Sequence, residues 1–409
     1  MKQMKQWNWT CVAIVFFFVD VDSFVVPYSS RNAQLSQPFL RLGTSSTPSD
    51  VCTIQILMSD TGGGHRASAN ALRDAFDILY PGKIKCDIVD IYTDYGPFWP
   101  YNDYVGLYKL MAEYSFLWDW FYHFGATPLG MWLNELLLES FCFEPFMECV
   151  NRPSGSTTKR ADMVISVHPL CQDIPLKILA HLDSRGMTRE KEGRTTPFAT
   201  VVTDLGGAHP TWFNPAVDKC FVPSDVLNKA AQDRNVQPYQ IVQYGLPIRK
   251  GFWKEPSVDE STPIGNKQSN LGASSTDGAK ETAITTDSNQ EELRAALGID
   301  LKLPTVLVVG GGDGMGGIVD IATSLGQKLG AGNNSPAYQM IVVCGNNQAA
   351  KQALLSNDWG QGVKVDIQGF VNNMDEWMRA SDALVTKAGP GTIAEASICG
   401  LPCMLFSFL

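Results

Sequence analysis

"LMSDTGGGHRASANAL" (residues 57–72) sets three glycines, a histidine and an arginine directly after a short apolar run. Glycines at the end of a strand let a ligand approach main-chain N–H groups closely. From His65 to Tyr80, alanines and leucines recur at helical spacing, so a helix is expected to start at the glycine loop. A helix N-terminus favours anions through its unpaired N–H groups and its dipole. The stretch therefore reads as strand, glycine turn and helix, with a titratable group at the mouth. This is the repeating unit of a doubly wound α/β sheet.

Working outward, the alternation continues. Strands are expected at 52–58, 85–91, 163–168, 198–204, 219–224 and 240–245, and in a second set at 305–312, 340–345, 363–370, 383–389 and 402–408. Near-continuous apolar runs separated by helices imply parallel sheets covered on both faces. Between the sets, residues 260–289 are rich in Ser, Thr, Gly and Asn, and the wider segment 256–295 is expected to be a disordered insert. The fold class is thus α/β, with two Rossmann-like doubly wound domains at 50–250 and 296–409 facing a cleft. Each glycine-rich loop falls at the carboxyl end of a strand, where open parallel sheets bind ligands. The chain stops at "CMLFSFL", on a strand, so the second domain is expected to be incomplete, its C-terminal end truncated.

Composition narrows the class. Of 409 residues, 44% are hydrophobic and 18% charged, which suits packed cores, and a net charge of −10 argues against nucleic acid as a partner. The ten cysteines show neither C-x-x-C pairs nor zinc spacing, as in a reducing compartment. Residues 1–49 begin with Lys2 and Lys5, then an apolar run from Cys11 to Val19 that is too short to span a membrane. An acid-free segment from Phe24 to Ser46 follows. The junction resembles the signal-plus-transit presequences of algae with secondary plastids; ordinary secretion is the alternative.

Two further loops carry chemistry. "VVGGGDGMGGI" places Gly312-x-Gly314-x-x-Gly317 after a strand, yet the next strand ends "VVCGNN" without the acid a dinucleotide fold needs for a ribose. A nicotinamide or flavin enzyme is therefore the weaker reading. "TKAGPGTIAEASICGLP" ends a strand at a Gly-Pro-Gly turn, with a helix expected to open at Thr392 and Glu395 one turn inside it. Main-chain donors for phosphate, beside an acid that accepts from ribose hydroxyls, suggest a nucleotide diphosphate. A helix-capping glutamate is the alternative.

At these residues a family comes into view. "SDTGGGHRASANAL", "SVHPL", "TDLGGAHPTWF", "VVGGGDGMGG", "GFVNNMDEWM" and "TKAGPGTIAEA" together resemble the monogalactosyldiacylglycerol synthases of glycosyltransferase family 28. The resemblance implies a GT-B fold and inverting transfer of galactose from UDP-galactose to the sn-3 hydroxyl of diacylglycerol, in the plastid envelope. It implies that Glu395 holds the ribose, that Gly389, Pro390, Gly391 and Thr392 meet the diphosphate with Gly311 and Gly312 nearby, and that Phe370 and Val371 read the uracil. Lys387 is a candidate to neutralise the departing UDP. His65, directly after the glycines at 62–64, is expected to be the base that deprotonates the acceptor. Gly63, Gly64, Asp204, His209, Pro210 and Trp212 are expected on the acceptor side, whereas His168 reads as structural. No metal ion and no other cofactor is expected. The implied sugar-contacting stretch lies beyond Leu409, so a glucose- or N-acetylglucosamine-transferring relative, or an inactive nucleotide-sugar-binding fragment, stays open as an alternative.

Residues 97–146 are dense in Trp, Tyr and Phe without a run long enough to span a bilayer. They suit a monotopic seat on a membrane surface. Their single lysine and several acids argue against simple attraction to anionic lipid there. Buried helices are the alternative.

Overall fold

The computed structural model describes residues 51–61, 63–113, 115–153, 160–184, 195–253, 290–311 and 317–407. The expected presequence, residues 256–289 of the expected insert, and Gly312 lie outside the described residues.

All eleven expected strands form, each within a few residues of its anticipated ends. In the N-terminal half they are β1 (Cys52–Met58), β2 (Ile84–Asp90), β3 (Met163–Ser166), β4 (Phe198–Val201), β5 (Lys219–Val222) and β6 (Ile241–Gln243). They make one all-parallel sheet in the order β2-β1-β3-β4-β5-β6. The C-terminal half supplies β7 (Thr305–Val309), β8 (Tyr338–Val343), β9 (Val363–Gln368), β10 (Ala383–Lys387) and β11 (Cys403–Ser407), parallel in the order β11-β10-β7-β8-β9.

Helices cover both faces of the inner strands, so both sides of β1 and β7 are largely buried. In β1, Leu57 enters a core with Val164, Phe198 and Val202, while Ile56 and Met58 enter the opposite one with Ile165, Val167 and Val201. In β7, Leu307 and Val309 face one core and Val308 the other. This two-sided burial is why the strands read as unbroken apolar runs.

The N-terminal sheet carries α1 (Gly64–Leu79), α2 (Ile91–Tyr95), α3 (Tyr104–Glu113), α4 (Ser115–Gly125), α5 (Pro128–Asn151), α6 (Asp173–Ser184) and α7 (Asp225–Asp233). A helix α8 spans 290–297 and corrects the expected insert, which ends by residue 289. Its Arg294 is buried and donates to the carbonyl of Ala380 at 2.8 Å and to Asp382 at 2.8 Å, contacts a disordered tract would not hold. Then come α9 (Ile318–Gly330), α10 (Gln348–Leu355), α11 (Met374–Arg379) and α12 (Pro390–Ile398). The last opens at Pro390, two residues before the expected Thr392, because proline is pre-organised for the first helical position.

The strand orders fix where ligands bind. In the first sheet the winding reverses between β1 and β3, and in the second between β7 and β10. The crevice outside the strand ends at such a reversal is the binding position of open α/β sheets.

Candidate functional site

The glycine loop after β1 lies at the first reversal point. Gly63 caps α1 with φ +75°, and a side chain at Gly63 or Gly64 would meet nothing within 4 Å, so the main chain there faces open space. His65 follows. Its Nδ1 lies 2.8 Å from the carbonyl of Val167, at the end of neighbouring β3, and 3.1 Å from Thr203 Oγ1 after β4. A carbonyl only accepts, so Nδ1 carries the proton and Nε2 is the basic nitrogen. Burial pushes the imidazole down to about 4, against weaker opposing effects from the Val167 bond and Asp60. At neutral pH His65 is an uncharged base.

A buried layer supports it. His168 stands edge-on to His65, with ring centroids 4.5 Å apart. Its Nδ1 accepts from the Leu170 N–H at 3.2 Å, leaving Nε2 to donate to Thr61 Oγ1 at 3.1 Å. Burial first, then the neighbouring His65, hold it well below the ordinary histidine range. His168 thus ties the end of β3 to the glycine loop.

The expected acceptor-side residues divide. Trp212 is fully buried and does not line a surface: its ring lies 6.2 Å from that of His65, and its Nε1–H donates to Asp204 at 2.7 Å. An indole fills the apolar volume beneath the loop once its one N–H has a partner. Asp204 is held there, its carboxyl raised by burial against the pull of the Trp212 bond. His209 caps the short turn Pro210–Trp212 and meets α4, with its ring 5.2 Å from that of Tyr122 and its Nε2 3.6 Å from where a side chain on Gly125 would begin. Burial pushes its imidazole down.

At the second reversal point, the first turn of α12 presents the N–H groups of Gly391 and Thr392, which have no acceptor inside the helix. Gly311, with φ +79°, turns the chain after β7, and a Cβ on it would come 3.1 Å from Cε of Lys387. The β10–β11 register shifts between Thr386 and Lys387, an irregularity of the kind that re-aims side chains beside a site. Gly311, Phe370, Val371 and Thr392 line one cavity with Arg249, Val309, Val343, Gly345, Met374 and Met378. Four expected donor-side residues therefore converge. Glu395 is buried one turn into α12, and both its oxygens face Arg249.

Arg249, Thr203 and Val167 were not singled out in the sequence. None belongs to a motif: a lone arginine after "GLPI", a threonine ending a strand and a backbone carbonyl leave no local signature. Helix α1 touches both α12 and the turn Lys250–Phe252, so the loop with the imidazole and the helix with the acid flank one cleft. Among the described residues, no group of three or more His, Cys, Asp or Glu could hold a metal ion.

Two parallel sheets, each with a glycine loop at its reversal point, make two Rossmann-like domains, the architecture of the GT-B fold. The model of the monogalactosyldiacylglycerol synthase family matches residues 65–248, and that of the glycosyltransferase family 28 C-terminal domain matches 305–408. A monogalactosyldiacylglycerol synthase 3 of Arabidopsis thaliana is 38% identical over 87% of this chain and 67% of its own length. A probable monogalactosyldiacylglycerol synthase 2 of Oryza sativa subsp. indica is 39% identical over 87% of this chain and 66% of its own. The chain spans about two thirds of the length of these relatives, both named as chloroplastic. Among solved structures, the glycosyltransferase SnogD from Streptomyces nogalater matches with a TM-score of 0.42 and 15% identity, over 88% of this chain and 82% of that one. The chain belongs to the monogalactosyldiacylglycerol synthase family.

Proposed function

We propose that the protein transfers galactose from UDP-galactose to the sn-3 hydroxyl of 1,2-diacylglycerol with inversion at the anomeric carbon, and that it acts in the plastid envelope. The observation that carries this reading is that α1, whose second residue is His65, touches α12, whose Thr392 lines a cavity with Gly311, Phe370 and Val371. Inversion takes one in-line displacement. Nε2 of His65 takes the proton as the acceptor oxygen attacks the anomeric carbon, and the bond to the UDP oxygen breaks on the opposite face. The departing charge falls to the N–H groups of α12 and to Lys387, without a metal ion or other cofactor.

The lipid acceptor fits a second observation. Phe116 and Trp120 of α4 and Leu129, Trp132 and Phe141 of α5 are exposed, with Trp120 at 63% and Trp132 at 58%. Helix α5 meanwhile buries Leu138, Cys142, Phe146 and Cys149 against the domain. The aromatic segment is thus core on one side and bare on the other, as suits a protein resting on a bilayer. Among the described residues, no helix is long and apolar enough to cross a membrane.

The test is transfer of radiolabelled galactose from UDP-galactose into a chloroform-soluble product in diacylglycerol vesicles, with and without EDTA. Equal rates in both support the reading. Label entering lipid only from UDP-glucose or UDP-N-acetylglucosamine overturns the choice of sugar, and a rate abolished by EDTA overturns the metal-free step.

A further inference from the structure

The carbonyl that fixes the His65 tautomer belongs to Val167, just past the end of β3. Val167 is held on both sides: its N–H donates to the carbonyl of Leu57 in β1 at 3.0 Å, and its own carbonyl faces Nδ1 of His65 at 2.8 Å. The pairing of β3 with β4 stops one residue earlier, at Ser166 and Thr200. On that side the chain is held by a side chain.

That side chain is Gln172, directly before α6. Its backbone is anchored by the helix, since its carbonyl accepts from the Leu176 N–H at 3.0 Å. Its amide is fully buried and spans the two strands. Nε2 donates to Oγ of Ser166 at 3.1 Å and to the carbonyl of His168 at 3.0 Å, while Oε1 accepts from the Thr200 hydroxyl. A carbonyl only accepts, so the amide nitrogen must face His168 and the amide oxygen Thr200. The Ser166 hydroxyl donates to the same His168 carbonyl at 3.1 Å. The residues on either side of Val167 are thus tied to one amide.

A buried amide costs stability unless its groups are paired, and an aliphatic side chain would fill the volume without that demand. A fully paired network instead holds one arrangement. Here it holds the direction of the carbonyl between the two tied residues. That direction decides which nitrogen of His65 carries the proton.

We propose that Gln172 is a positioning residue for His65: by clamping Ser166 and His168 it aims the Val167 carbonyl at Nδ1–H and keeps Nε2 free to accept a proton. This rests on the reading of His65 as the base, and the two fail in different ways. The chain has five histidines, so long-range 1H–15N spectra of histidine-labelled protein at neutral pH resolve their tautomers, with H65Q assigning the signal. Q172M keeps the length of the side chain and removes the amide; its melting is checked beside the wild type. His65 is expected as the Nδ1–H tautomer in wild type and as a mixture with Nε2–H in Q172M. With it, kcat for galactose transfer falls by roughly ten- to a hundredfold, while KM for UDP-galactose and Kd for UDP stay within about twofold.

A folded Q172M with the wild-type tautomer overturns the proposal, whatever its rate. A shifted tautomer at an undiminished kcat leaves the clamp standing and defeats the reading of His65 as the base, as does a wild-type His65 that carries its proton on Nε2. Should Q172M melt too early, T200V decides, because it keeps its shape and drops only the hydroxyl on Oε1: a mixed tautomer with reduced kcat supports the proposal, and a wild-type tautomer overturns it.

Discussion

The two reversal points share a topology and differ in what they hold. At the first, a left-handed glycine hands over to a helix whose second residue is an imidazole, and the neighbouring strand end supplies a carbonyl that fixes its tautomer. At the second, the helix opens with Gly-Pro-Gly-Thr, and its acid is held from outside by an arginine of the connecting segment. In the proposed reading, one loop moves a proton and the other holds a charged ligand. The same strand-turn-helix unit serves both because the turn supplies only direction and bare amides; chemistry comes from the residue placed at its mouth.

Changes at the first loop should therefore strike rate and changes at the second affinity. H65Q is expected to lower kcat by 10²–10⁴, the usual worth of a general base, with UDP affinity in calorimetry within twofold of wild type. A comparable loss of UDP binding would break the contrast. The pH profile sharpens it. His65 works only unprotonated, so with its value near 4 the rate should stay level from pH 8 down to about 5 and fall tenfold per unit below about 4. A fall starting near 6.5 would show an ordinary, solvated imidazole. Folding carries the same sign: the depressed value stabilises the native state above pH 6.5, and this contribution is lost as pH falls towards 4.

Smaller effects test the surroundings. W120A/W132A is expected to cut partition into neutral vesicles about tenfold, read by flotation, since each removed ring forfeits buried apolar area. UDP affinity should not change. G311A forces a side chain into a left-handed turn against Lys387, and should cost about 1 kcal/mol of stability and weaken UDP binding a few-fold. An unaltered melting temperature would show that the left-handed turn at Gly311 is not under strain from a side chain.

How much of this was written in the residues follows from locality. Strands such as Cys52–Met58 and Thr305–Val309 were legible because two-sided burial writes one continuous apolar run. The loops were legible because glycine marks main chain that something must approach. Residues that act across long separations were not: Arg249 and Glu395 are 146 positions apart, and His65 and Thr203 are 138 apart. Trp212 misled for a related reason. Its place after a glycine loop put it on the acceptor side, but the fold turns the ring inward. The start of α8 was obscured by the polar tract before it, although "EELRAAL" at 291–297 has helical spacing.

His209 caps the turn after Asp204 and also touches Tyr122 and the end of α4, the helix that exposes Phe116 and Trp120. If α4 rests on a bilayer, the acceptor side adjoins the lipid phase, and an acceptor molecule could slide in laterally without ever being hydrated. Turnover would then follow the two-dimensional density of diacylglycerol in the sheet of lipid. Diluting vesicles with buffer would leave the velocity per enzyme nearly constant, while diluting the acceptor with inert phospholipid at fixed bulk amount would slow it.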